Sequence, residues 1–263
     1  MAPKRRQSSQ LSAESSARRK QRRSAADDPR STPQRWAVSR LAVKDKAMRA
    51  AEGGDRSVQR KLACPLLHVQ TEGAIGEHGS GLMFMMFGRN RRIVDFNSYR
   101  TRGHAGRFNP GSNDRAISVA TIAAYEALRS SMPADAALQI SDGDLGENIL
   151  LDGPTAGANA EGGLRVGQRL EIGGCTLELT EANKPCYRFN SESWAAAAKA
   201  AFSSDAPEEK GEKWFKSPRC PLSVEHRPGV RGWLAKVVRE GVVCVGDAAR
   251  EVSAKEEVES ASG

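Results

Sequence analysis

Residues 146–190, GENILLDGPTAGANAEGGLRVGQRLEIGGCTLELTEANKPCYRFN, decide how this chain is read. The stretch opens on a polar turn, Gly146-Glu147-Asn148. Leu164, Val166, Leu170 and Ile172 then stand at mostly two-residue spacing, and Cys175, Leu177 and Leu179 continue the alternation after Gly173-Gly174. Period-two apolar residues on both sides of a glycine pair predict a β-hairpin, because glycine supplies the positive φ of a tight turn. Pro185 lacks an N–H and fixes its own φ, so the chain should leave the sheet there and present Cys186 at a strand end. Lys184 and Arg188 stand two residues to either side, and nearby positive charge favours the thiolate. A thiolate ligates soft metals or carries a sulfur atom.

The other cysteines carry less signal. A cysteine in a β-rich protein is ordinarily a small buried hydrophobe. Cys175 and Cys244 sit in apolar runs that fit this description, and nothing singles out Cys64 or Cys220. The five cysteines form no CxxC, and His68, His78, His104 and His226 are scattered, so a zinc site is not expected.

The order Gly146-Glu147-Asn148, then the strand pair around Ile172-Gly173-Gly174, then Pro185-Cys186 resembles the MOSC domain, named for the C-terminal part of molybdenum cofactor sulfurases. Asp114-Arg115-Ala116-Ile117-Ser118-Val119 resembles the family's strand before a helix. Pro228-Gly229-Val230-Arg231-Gly232-Trp233 and the segment 240–247 resemble the close of stand-alone members, so the likeness covers about 95–247. It implies a mainly β fold with a few α-helices, a MOSC-like β-barrel with packed helices. It also implies molybdenum cofactor (molybdopterin) binding, with Cys186 as molybdenum ligand or persulfide carrier. Gly146, Glu147, Asn148, Lys184, Arg188 and Arg115 are the expected cofactor-binding residues, joined by His104 in a short Gly-His-Ala-Gly match. The chain departs from the family at Pro110-Gly111-Ser112-Asn113, where many members carry His-Gly-Gly-Pro.

Charge separates tail from domain. Residues 1–60 hold 16 of the 40 Lys/Arg and 6 of the 32 Asp/Glu, a net +10 in a chain of net +8. The remainder carries −2 and gives no electrostatic reason to bind nucleic acid. The expected organisation is a disordered basic tail over 1–60, a barrel domain over 61–250 and a disordered tail over 251–263. Lys4-Arg5-Arg6 and Arg18 to Arg23 read equally as a nuclear import signal, an RNA-contacting arm, part of an organelle transit peptide or a solvated linker. No run has the length and apolarity of a membrane span, so an intracellular, soluble protein is expected, in nucleus, organelle or cytosol.

Elsewhere, Trp36–Arg60 reads as a short amphipathic helix. Leu66–Val69 and Gly81–Gly88 read as barrel strands, Thr71–Ser80 as a glycine-rich connection, and the arginines at 91–92 and 100–107 as a wall for an anion or a solvated face. Helices are expected over 118–130 with Ser118 as cap, over Trp194–Phe202, and around Leu234, Val237 and Val238. Residues 203–218 read as a loop over the site mouth.

Two function classes follow. One is a molybdenum-cofactor-dependent enzyme or sulfur transferase, reducing N-hydroxylated compounds or delivering sulfur to molybdoenzymes, with an electron-donor or molybdoenzyme partner. The stand-alone architecture and closing segment favour reduction; pyridoxal phosphate is not expected on this chain, since no cysteine-desulfurase domain accompanies the barrel. The alternative is a non-catalytic binding module whose basic tail contacts nucleic acid or serves as an address.

Overall fold

The computed structural model describes residues 35–43, 61–78, 91–96, 114–153, 163–185, 189, 192–202 and 211–253. All belong to one compact unit, Arg35–Gly263.

The expected hairpin is present as β8 (Arg169–Ile172) and β9 (Cys175–Ala182), turning at Gly173 with φ +53°. Leu170, Ile172, Cys175, Leu177 and Leu179 all point into one core, as the alternation requires. Five further strands complete a ring: β1 (Arg35–Val43), β6 (Ile117–Thr121), β7 (Ile149–Asp152), β10 (Trp233–Arg239) and β12 (Ala248–Val252). The order is β12-β8-β9-β10-β6-β7-β1, and β1 pairs back onto β12, closing a seven-strand barrel without a free edge. Every pairing is antiparallel except β6 with β7. A parallel pair needs a crossover, supplied by helices α1 (Ile122–Ser130) and α2 (Ala134–Ala137).

β6 and β7 are buried on both faces. Val119, Ile149 and Leu151 face the barrel interior, while Ala120 and Leu150 face a second cluster outside it with Tyr125 and Leu128 of α1. That outer cap also contains Phe189, Trp194 and Ala195 of α3 (Ser193–Phe202), Trp214 and Phe215 of a 3-10 turn at Gly211–Lys216, and Val230. The segment expected as a loop over the mouth thus contributes two core aromatics.

A smaller antiparallel sheet lies against the barrel, in the order β11 (Gly241–Cys244), β3 (Leu66–Gln70), β4 (Gly73–His78), β5 (Arg91–Phe96). Leu67, Val69, Ala74 and Val243 join the barrel core. β2 (Leu62–Cys64) extends the end of β1.

Several expectations change. Trp36–Arg60 does not begin as a helix, and the barrel reaches into the segment expected to be tail. Trp36, Val38, Leu41 and Val43 point inward along β1, and a bulge between Val38 and Arg40 shifts the alternation so that it imitates helical spacing. Bulges between Leu234 and Ala235 and between Val237 and Arg239 likewise disguise β10, expected as a helix. β12 carries ordered pairing to Val252, past the expected boundary at 250. β3 is a strand as expected, though of the second sheet and not the barrel. Within 71–80, residues Gly73–His78 are a strand: a Cβ on Gly76 would lie 2.7 Å from the Val43 side chain, so glycine marks close packing and not a loop. Thr121, not Ser118, caps α1, its hydroxyl accepting from the Ala124 N–H at 3.1 Å. The Gly81–Gly88 strand and the 100–107 arginines lie outside the described residues.

Candidate cofactor site

β9 ends against the start of β10. Ala182 pairs with Trp233, and the Asn183 N–H donates to the Gly232 carbonyl at 2.9 Å. Beyond Asn183 the chain leaves the ladder at exposed Lys184 and half-buried Pro185, as the proline requires. This rim collects the ends of β6, β7 and β9 and the starts of β1 and β10.

Facing this exit is the turn Gly229–Gly232. Both glycines sit at φ +80°, and a Cβ on Gly232 would lie 2.3 Å from the Val119 carbonyl. The turn therefore packs directly on the barrel wall and fixes Arg231. The Arg231 guanidinium, 9% exposed, donates through Nη1 to the Lys184 carbonyl. Its Cζ also lies 4.5 Å from the centre of the Phe189 ring, and Phe189 meets Trp194 edge-on, centroids 5.9 Å apart at 67°. The indole Nε1 atoms of Trp194 and Trp233 are buried and make no hydrogen bond.

The Gly146–Asn148 turn enters β7 at the opposite rim. The Asn148 Oδ1 accepts from the Ser118 N–H (3.1 Å) and Oγ–H (2.9 Å), and its Nδ2 donates to the Ala42 carbonyl (3.0 Å). One buried amide thus ties β1, β6 and β7 together. The Glu147 Oε2 accepts from the Tyr125 hydroxyl at 2.9 Å, and its Oε1 lies 3.3 Å from Arg40 Nη1. Tyr125 in turn accepts from the Gly143 and Leu145 N–H groups. Burial pushes the Glu147 carboxyl above the usual carboxylate range, although Arg40 and Tyr125 favour its charged form; burial and the neighbouring Glu147 push the Tyr125 phenol well up. The described contacts of Glu147 and Asn148 are with the chain's own groups, and every polar atom of the Asn148 amide side chain that these bonds use serves strand pairing.

Lys184 stands exposed where the chain leaves β9. Arg115 is ion-paired with Glu181 at the start of β6, on the outer wall. Cys186, Arg188 and His104 lie outside the described residues. Cys175 is buried, as expected of a small apolar residue in a strand, and Cys244 is half-buried; Cys64 and Cys220 are buried as well. Among the described residues no group of three His, Cys, Asp or Glu side chains is placed to hold a metal, and no helix is long and apolar enough to cross a membrane. In the sequence Arg231 stood out only as part of the closing motif, and neither Tyr125 nor Arg40 was singled out as a site residue. The signal for Arg231 was its place between two glycines three residues apart.

Solved structures resembling this fold include the YuaD protein from Bacillus subtilis, at 15% identity over 84% of this chain and 99% of that one, with a TM-score of 0.42. YiiM from Escherichia coli matches at 15% identity over 84% of this chain and 71% of that one, TM-score 0.45. No curated protein matches. The family model of the MOSC domain matches residues 106–250, more than half of the 263 residues and the span from β6 to β12. With that match over more than half of its length and a closed, mainly β barrel, the chain belongs to the MOSC domain family.

Proposed function

We propose that this protein binds the molybdenum cofactor at the rim where β9 ends and β10 begins, with Cys186 as molybdenum ligand or persulfide carrier. The observation that carries the reading is the family match, which spans Pro185-Cys186 and the turn carrying Arg231. The donor set suits the group. A thiol is a soft ligand, Lys184 and Arg231 bring positive charge towards an anionic pterin, and the buried indole N–H groups of Trp194 and Trp233 are donors with no partner of their own. Bound there, the cofactor supplies a sulfur-coordinated, redox-active metal.

The chain's own work is to hold and shield. Pro185 keeps the ladder from continuing towards Cys186, Lys184 offers an exposed ammonium, and Phe189 and Trp194 of the outer cap back the Arg231 guanidinium. Gly146, Glu147 and Asn148 enter this reading as scaffold, fixing β7 and hence the barrel that carries the rim. Reduction of N-hydroxylated compounds, with electrons from a separate donor protein, is the preferred activity; delivery of sulfur to another molybdoenzyme is the second use of the same thiol.

Protein made in a cofactor-producing host should contain pterin and molybdenum in near-equal amounts. Cys186→Ser should lose the metal, or lose the one-sulfur mass increase of a persulfide, with an unchanged melting curve. A wild-type protein free of pterin, or a serine variant that keeps both full metal content and any one-sulfur mass increase seen in the wild type, rejects the proposal.

A further inference from the structure

We propose that Arg231 is the positioning residue of the Cys186 segment, joining the barrel side of that segment to its cap side through one guanidinium. The inference deepens the preceding reading and rests on it for the role of Cys186. Lys184 lies two residues before the cysteine and Phe189 three after, and Arg231 touches both: its edge donates to the Lys184 carbonyl and its face covers the Phe189 ring.

This dual contact calls for arginine. A guanidinium is planar, with donors along its edge and a face that stacks on aromatic rings, whereas an ammonium offers donors without a face. Both anchors are themselves fixed. The Arg231 backbone is pinned between Gly229 and Gly232, the latter seated on the Val119 carbonyl, and the Phe189 ring is held by Trp194 of α3. A charged group only 9% exposed is expensive to desolvate, and an apolar side chain would fill the same space more favourably. Joining Lys184 at the exit from β9 to Phe189 of the outer cap accounts for its presence.

The test compares wild type with Arg231→Gln, Arg231→Lys and Phe189→Leu. Three readouts are taken: hydrogen–deuterium exchange of peptides covering 183–190, pterin content after expression in a cofactor-producing host, and the melting curve. Arg231→Gln should speed exchange of that segment about tenfold or more, the effect of losing one charge-assisted hydrogen bond, with β9 and β10 peptides changing little. Pterin content should fall in parallel. Arg231→Lys keeps a donor but no stacking face, and Phe189→Leu removes the ring, so both should give intermediate exchange. Unchanged segment exchange in Arg231→Gln overturns the inference, as does a uniform rise across β9, β10 and the segment with lysine no better than glutamine. If wild type holds no pterin the cofactor reading fails by itself, while the exchange measurements still decide whether Arg231 fixes this segment.

Discussion

Deleting residues 1–34 and deleting residues 1–44 should have opposite consequences. The longer deletion removes β1, whose Trp36, Val38, Leu41 and Val43 are at most 3% exposed. Fully burying a Val or Leu side chain is worth about 1.5–3 kcal/mol, so Val38, Leu41 and Val43 together contribute roughly 5–9 kcal/mol. Trp36 brings the sum to about 10 kcal/mol, an upper figure because unfolded chains are already partly compact. Whole domains are stable by only about 5–15 kcal/mol. Loss of β1 also strips β12, β7 and β2 of their shared partner and reopens the barrel. The 1–44 deletion should therefore show no cooperative thermal transition by circular dichroism. The 1–34 deletion removes an Arg- and Ser-rich stretch with few apolar residues and should melt within about 2 °C of the full chain. A 1–44 deletion that still melts cooperatively within about 5 °C of full length would refute the closed-barrel assignment of β1.

Asn148→Ala should leave the Ser118 N–H and the Ala42 carbonyl without their side-chain partner, at about 1–3 kcal/mol each, lowering the melting temperature by roughly 10 °C; a shift below about 2 °C would mean water replaces the amide. Cys175, whose thiol burial raises to about 12, sits in the apolar interior, so Cys175→Ser should cost about 1–3 kcal/mol in urea unfolding, and an unchanged midpoint would show that the hydroxyl finds a partner. Two glutamates should move stability in opposite directions with pH. Glu147, raised by burial, binds its proton more readily folded than unfolded, so its contribution declines as pH climbs from about 4.3 through its folded value, and Glu147→Gln should gain on wild type over that window. Glu178 is lowered, first by its bond from Lys236 and then by Arg169 against some burial; its contribution is present above about 4.3 and lost as pH falls through its folded value, so Glu178→Gln should converge on wild type in acid. Melting curves of both variants from pH 3 to 8 test these signs, and parallel profiles would contradict them.

Legibility tracked regularity. β8 and β9 were readable because their alternation is unbroken and their turn is a glycine pair; α3 was readable from its alanine run. β1 and β10 were misread where bulges insert a residue and reset the phase, which sequence spacing alone reports as helical. β4 was hidden because its Gly76 makes room for Val43, a neighbour distant in sequence. At the rim, Pro185 announced the strand end, whereas Arg231 owes its significance to Lys184 and Phe189, contacts that exist only once β9 and β10 are side by side. Gly146-Glu147-Asn148 was conspicuous as a motif, yet what Asn148 does depends on carbonyl and amide groups of β1 and β6, more than a hundred residues apart in one case.

The seam between β1 and β12, with Arg35 opposite Arg250, joins the earliest and latest strands of the ring. During synthesis β1 emerges long before its partner, so its β12-facing edge stays open to other chains until residue 252 has cleared the ribosome. Slow translation of the codons leading up to β12 would lengthen that exposure, and chaperone demand during synthesis should track it. The same adjacency suits a rearranged gene: a short linker from 253 back to 35 would leave the barrel's contacts intact while new ends are opened elsewhere, as at the exposed residues Arg165–Gly167.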